Sequence, residues 1–409
     1  MKNPPRYVPR NVRWFNRLLR ATYGVWLRRF FRVRVLNAQA AALRPPFILV
    51  SNHVTLLDPF ILSSLLREPV YWITSDGNMR TRLMRVLLRL VGSIPKAKAI
   101  PDIETVNWTV HVIRREHGVV GVFPEGQQTW DGRTLPLIPS TAKLLKLLKV
   151  PVLAAVIRGG YLSLPRWSWA RRRGRIEVEF RLLFVPEELK SRSVEELQTE
   201  LERALAHDEF AWQEDARVPY QALRKAEHLE LSLFMCPRCE AIGSLRSARS
   251  HMHCSSCGLA VAVDIHGRFK GLRGEAAPFA NLRDWDLWQL GALKNLVRRR
   301  LEEDEGPGTR KPLFSDAGAL LLRGRRMNPL RRVRSGTLIL YVDRIELAPL
   351  LGERIVFPLA QVEGIGVLKR NLLEYYVGRD LYQVRFPFRH NSARKWMEAV
   401  EIISKLRAR

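Results

Sequence analysis

Ser51-Asn52-His53-Val54-Thr55-Leu56-Leu57-Asp58-Pro59 and, seventy residues on from His53, Phe123-Pro124-Glu125-Gly126 decide how this chain is read. Each string closes an apolar run, Phe47 to Ser51 and Val119 to Phe123, that reads as a buried strand. Of nine histidines only His53 has an aspartate five residues later. Asp58 also reads as a helix N-cap, with Pro59 at the first helical position and Phe60 to Leu66 as the apolar helix behind it. A cap at Asp58 is compatible with a pairing of its carboxylate with His53.

A histidine and a carboxylate are the pair that alcohol activation needs. A hydroxyl that acts as a nucleophile must lose its proton, and a neutral imidazole is the side chain suited to take it near pH 7. A carboxylate on the other ring nitrogen fixes the tautomer and steadies the imidazolium that forms. No Gly-x-Ser-x-Gly elbow is present, which argues against a serine hydrolase.

In order and spacing the two strings resemble those of the glycerolipid acyltransferases, of which the lysophosphatidate acyltransferases are the best-known branch. Two further stretches resemble the family in sequence order, Gly92-Ser93-Ile94-Pro95-Lys96-Ala97-Lys98 and Val150-Pro151-Val152-Leu153. The resemblance spans residues 10 to 215. It implies His53 as general base, Asp58 as its orienting partner, and Glu125 and Gly126 in the loop that binds the acyl acceptor. Many members carry an arginine two residues after that glycine, where this chain has Gln128. Arginine grips phosphate bidentately and glutamine cannot. Lys96, Lys98 and Arg133 are the candidates to supply the missing charge. The acceptor stays open between a lysophospholipid, most simply 1-acylglycerol-3-phosphate, and a lipid alcohol or aminolipid without phosphate. The donor is expected to be acyl-CoA or acyl carrier protein.

The formal charge of +28 calls for a polyanionic partner, a membrane surface or nucleic acid. The first 57 residues hold eleven Lys and Arg and no acidic residue. Trp14, Phe15, Trp26, Phe30 and Phe31 lie among them with leucines at helical spacing, the composition of an interfacial segment on an anionic membrane. Pro45 to Leu66 contains His53, Asp58 and prolines, and Leu83 to Ile94 is broken by Arg85 and Arg89, so neither reads as a span. The expectation is a peripheral protein on the cytoplasmic face, in bacteria that of the inner membrane.

All four cysteines fall in Cys236-Pro-Arg-Cys239 and Cys254-Ser-Ser-Cys257, with fourteen residues between the pairs. Two such knuckles can place four thiolates around zinc and resemble a zinc ribbon. With all four positions filled, the Zn2+ is expected to be structural; two disulfides are the alternative. His251 and His253 are expected to be solvated. A ribbon also allows a nucleic-acid- or protein-binding adaptor. However, residues 231–275 hold only six basic and three acidic residues, so the excess charge is not concentrated there. From Ser335 the period changes to two, with short strands up to Phe386 and then an amphipathic helix after Ser392 bearing Trp396. This pattern resembles a pleckstrin-homology-like domain.

The expected fold is α/β, a mixed sheet flanked by helices in the manner of the glycerolipid acyltransferases, plus a small zinc ribbon and a mostly-β C-terminal domain. The expected divisions are a basic amphipathic segment (1–45), an acyltransferase domain (46–215), the ribbon (231–275), a helical connector (276–326) and the pleckstrin-homology-like domain (327–409). Helices are expected to begin at Asp58, Asp102, Ser140 and Ser193, and strands near 47, 92, 119, 151 and 176.

Overall fold

The structure, a computed structural model, describes residues 9–97, 102–272, 274–303 and 311–408. The chain divides into two compact units. One runs to Gln221; the other holds Trp167–Ala170 together with the residues from Ala222 on.

The first unit is built on seven strands: β1 (Arg34–Leu36), β2 (Phe47–Ser51), β3 (Val70–Ser75), β4 (Ile94–Lys96), β5 (Val119–Val122), β6 (Val152–Arg158) and β7 (Glu177–Phe184). Their order is β1-β7-β6-β2-β5-β3-β4. Only the β6–β7 pair is antiparallel, so the sheet is mixed as expected. Every residue of β2 and of β5 is buried, the pattern of parallel strands covered on both faces. Ile48, Val50 and Val120 of these strands form one core with Val112, Leu145 and Leu201 from the flanking helices.

Those helices start where the sequence places their caps. Asp102 accepts from the Thr105 amide ahead of helix Ile103–Arg114. Ser193 and Glu196 make a reciprocal capping box ahead of Val194–Leu205. The Asp58–Leu65 helix differs in detail. Its N-cap is Leu57, and Pro59 falls at the second helical position. Asp58 does not cap the helix amides, because its carboxylate is turned back onto the preceding loop.

Two boundaries shift. Residues 34–36 form a strand of the sheet, paired with β7, so the basic segment is not separate from the acyltransferase fold up to residue 45. Within that segment Leu27 and Phe31 are fully buried, whereas Trp14 is 66% exposed. In the second unit an 11-residue strand, Phe314–Gly324, occupies part of the stretch expected to be a helical connector. The reason is pairing: Phe314–Gly324 lies between two strands from the expected β domain, so the sheet claims it before residue 327.

The second unit holds a four-stranded antiparallel sheet, β8 (Leu245–Ala248), β9 (His251–Cys254), β10 (Ala260–Val263) and β11 (Phe269–Gly271). Helix Leu282–Glu302 follows, and its Trp285 and Gln289 bond to backbone groups of residues 232–235. A seven-stranded antiparallel sheet comes next: β12 (Phe314–Gly324), β13 (Arg331–Leu340), β14 (Arg344–Ala348), β15 (Ile355–Pro358), β16 (Val362–Leu368), β17 (Leu372–Val377) and β18 (Asp380–Arg385). Helix Ala393–Arg407 closes it, capped by Ser392. Trp396 is fully buried and donates to Asp316 at 2.7 Å. Arg394 grips Asp286 through two bonds, at 2.7 and 2.8 Å, tying the last helix to Leu282–Glu302.

Candidate active site and candidate metal centre

The two strings meet because β2 and β5 are parallel neighbours, with Val50 opposite Val122. The loops after both strands therefore leave from the same edge of the sheet, where open α/β sheets bind ligands. The His53 loop is held from several sides. Asn52, fully buried, donates to the Ile157 carbonyl at 2.9 Å and accepts from the Ile157 amide at 2.8 Å. Thr129 donates its amide to the His53 carbonyl at 3.0 Å.

His53 Nδ1 lies 2.8 Å from Asp58 Oδ2. The same carboxylate oxygen accepts the amides of Val54 at 2.8 Å and Thr55 at 2.9 Å. Asp58 thus folds its own loop around the imidazole. Burial pushes its carboxyl pKa up, and the bonds from His53, Thr55 and Val54 pull it back. The His53 ring stacks on Phe123, with centroids 4.1 Å apart, and Phe123 stacks on Trp72 at 4.8 Å. Trp72 in turn donates to Ser63 at 2.9 Å. Gly121 makes room for this stack, since a Cβ there would lie 2.4 Å from the Trp72 ring.

Glu125 is 5% exposed and both of its oxygens accept backbone amides, from His53 at 2.6 Å and Leu135 at 2.7 Å. Burial pushes its pKa up to about 8, against those two bonds. Its carboxylate braces the site's own backbone. Gly126 adopts a φ of +70°, a left-handed turn that glycine makes without steric cost.

Two of the three candidate phosphate residues, Lys96 and Arg133, lie among the described residues. Arg133 is engaged by Asp131, with its Nε and Nη2 both 2.6 Å from Oδ2. Lys96 ends β4, three strands from β2, which at about 4.8 Å per strand is about 14 Å across the sheet. Lys98 lies outside the described residues.

Sequence reasoning passed over Arg166, which is nearly buried. It donates to the Gln128 carbonyl at 2.8 Å and lies 4.2 Å from the Trp130 ring centre. It also passed over Trp72, whose strand β3 carries no flanking motif. Asn52 and Phe123 stood inside the quoted strings and were legible by position.

The four cysteine sulfurs lie within 4.8 Å of one another. Cys236 and Cys257 are 3.6 Å apart, and Cys239 and Cys254 are 3.7 Å apart. Four sulfurs at about 2.3 Å from a tetrahedral zinc stand about 3.8 Å apart, so this donor set fits such an ion. None of the four is joined in a disulfide. His251 and His253 are exposed.

Residues 32–158 match the family described as Acyltransferase. Among solved structures, the chain is similar to the 1-acyl-sn-glycerophosphate (LPA) acyltransferase of Thermotoga maritima. The two are 18% identical over 47% of this chain and 77% of that one, with a TM-score of 0.42. No curated protein matches the chain. Carrying both strings of the family within the matched stretch, residues 32–158 form a domain of the glycerolipid acyltransferase superfamily.

Proposed function

We propose that the first unit transfers an acyl chain from acyl-CoA or acyl carrier protein to the hydroxyl of a lysophospholipid, 1-acylglycerol-3-phosphate in the first instance. The observation that carries this reading is the 2.8 Å contact between His53 Nδ1 and a fully buried Asp58. With Nδ1 committed to the carboxylate, Nε2 is the nitrogen left to accept the acceptor's proton. The hydroxyl oxygen then bonds to the thioester carbonyl, the C–S bond breaks, and the thiolate takes the proton back from His53. No protein nucleophile is needed. Purified protein given lysophosphatidate and either donor should yield phosphatidate by mass spectrometry. If no lysolipid is acylated with either donor, the reading fails.

One observation favours the second reading, an acceptor without phosphate. Gln128 replaces the family's arginine, and the neighbouring cation Arg133 is already neutralised by Asp131. A side-by-side assay with an uncharged lipid alcohol separates the two.

Attachment to an anionic membrane surface is part of the proposal, as a peripheral protein on the cytoplasmic face. Among the described residues no helix is long and apolar enough to cross a membrane. Helix Arg82–Leu90 has no buried residue and exposes Leu83, Met84, Val86 and Leu87 between Arg82, Arg85 and Arg89. Arg10 and Val12 donate their amides to the carbonyls of Arg89 and Leu90, which ties this helix to the basic segment. Apolar side chains interleaved with arginine are what an interfacial helix presents to anionic lipid.

For the second unit we infer a structural zinc in the four-cysteine ribbon and a pleckstrin-homology-like C-terminal domain. Zinc would supply folding energy to a sheet of strands only three to four residues long. Seven antiparallel strands closed by one helix support the assignment of the C-terminal domain.

A further inference from the structure

A pocket of about 410 Å³ lies within the second unit, and neither the acyl-transfer chemistry nor the metal centre uses it. Arg224, Arg246, Arg249 and Arg389 line it together with His228 and His390. These residues come from three separate stretches of chain, the segment before the ribbon, the ribbon hairpin, and the turn ahead of the last helix. We propose that this pocket is a binding site for a phosphate-bearing group, either a phospholipid headgroup or a free phosphorylated molecule.

Charge is the first argument. Against four guanidinium groups the pocket sets two carboxyls, Glu227 and Glu230. Glu227 pairs with Arg224 at 3.4 Å. Glu230 is 5% exposed and accepts the Ser247 hydroxyl. Among the described residues no carboxylate lies within 4 Å of Arg246, Arg249 or Arg389. Arg246 is held in place by the carbonyls of Gly243 and Leu245, at 2.7 and 2.8 Å. Four positive groups thus line one concavity against two carboxyls, an excess that costs Coulomb energy until an anion fills it.

Shape and donor geometry are the second argument. The volume lies in the range of small-ligand sites, about 300–1,000 Å³, and the concavity is too local for the extended stripe that a nucleic-acid strand would need. Guanidinium forks match phosphate oxygens, and several arginines around one cavity are the donor set for a group with two negative charges. Both histidines feel the same field. Burial lowers the pKa of His228, Glu227 opposes, and Arg389, Arg370 and Arg224 lower it further. Burial likewise lowers that of His390, with Arg246 and Lys395 adding to the effect and Asp316 opposing it. A bound phosphate would reverse the local sign and draw protons onto both rings.

The test uses the full chain and inorganic pyrophosphate, followed by calorimetry at low salt. Arg249→Gln/Arg389→Gln removes two exposed arginines of the pocket. Arg298→Gln/Arg299→Gln removes the same charge from the exposed face of helix Leu282–Glu302. The first variant should weaken pyrophosphate binding by about tenfold or more, while the second leaves it within about twofold. In wild type, pyrophosphate should raise the pKa of His228 and His390 in NMR titrations. No binding by wild type at millimolar pyrophosphate, or equal weakening in the two variants, overturns the proposal. A second arm uses phosphatidylcholine vesicles with and without phosphatidate. Vesicle binding that needs phosphatidate, Arg249 and Arg389, and that pyrophosphate competes away, assigns the site to a lipid headgroup. Vesicle binding indifferent to Arg249 and Arg389, beside sensitive pyrophosphate binding, assigns it to a free phosphate. Either result upholds the phosphate site.

Discussion

Glu125 Oε1 accepts the backbone amide of His53 at 2.6 Å, so the second sequence string holds the main chain of the first. The other oxygen holds Leu135, and the carboxylate thereby spans both loops of the site. In the proposed mechanism this glutamate would act on the position of His53 through the main chain.

His53→Ala should lower turnover by about 10²–10⁴, the effect of losing a general base, with the fold unchanged by circular dichroism. Asp58→Asn should also cut activity heavily. Its amide oxygen can still accept from Val54 and Thr55, but it cannot balance an imidazolium. Near-normal turnover of His53→Ala in purified protein would rule the mechanism out.

Glu125→Gln should impair both stability and turnover, because both oxygens accept and an NH2 group in either place would face another N–H. The cost of such a mismatch is about 1–3 kcal/mol. The pH dependence has a definite sign. A carboxyl at about 8 in the fold and 4.5 ordinarily binds a proton on folding between those values. Stability therefore declines as pH rises through that window. Thermal melts from pH 5 to 9 should show a flatter profile for Glu125→Gln than for wild type; parallel profiles would refute the assignment.

Gly121→Ala should disturb the site from behind. Its Cβ would press on the Trp72 ring, and the ring cannot yield without tilting Phe123 and, through it, His53. Overpacking of this kind costs about 1–3 kcal/mol. Turnover should fall more than acceptor KM rises. Wild-type kinetics in this variant would show that the stack does not position the base.

One zinc per chain is expected from elemental analysis, bound by Cys236, Cys239, Cys254 and Cys257. Chelation should loosen the second unit, read as increased proteolysis after residue 222, before acyl transfer declines. Activity lost at once, ahead of any structural change, would give the metal a catalytic part.

If phosphate is recognised without the family's arginine, Gln128→Arg should lower the KM for lysophosphatidate by restoring a bidentate contact. Lys96→Ala should raise it by about tenfold, the value of one charge-assisted bond. Asp131→Asn, which frees Arg133, should lower it. Wild type that acylates an uncharged lipid alcohol and ignores lysophosphatidate would instead make Gln128 a mark of changed specificity.

The order of motifs by itself determined the acyltransferase reading, the pairing of His53 with Asp58, and the four-cysteine cluster. Each of these rests on residues close in sequence or at the ends of apolar runs, where spacing translates directly into geometry. The helix starts at Asp102 and Ser193 were legible for the same reason, since capping is local. Tertiary structure decided what local spacing cannot encode. Strand β3 has no motif, yet it brings Trp72 beneath Phe123. Phe314–Gly324 became a strand because two later strands offered it partners. The carboxylate of Glu125 points inward because β5 lies beside β2, and Arg133 is neutralised by an aspartate two residues away that its sequence position did not distinguish from a free neighbour. The arginine pocket draws on stretches more than 130 residues apart, from Arg224 to His390, so only the folded chain could assemble it.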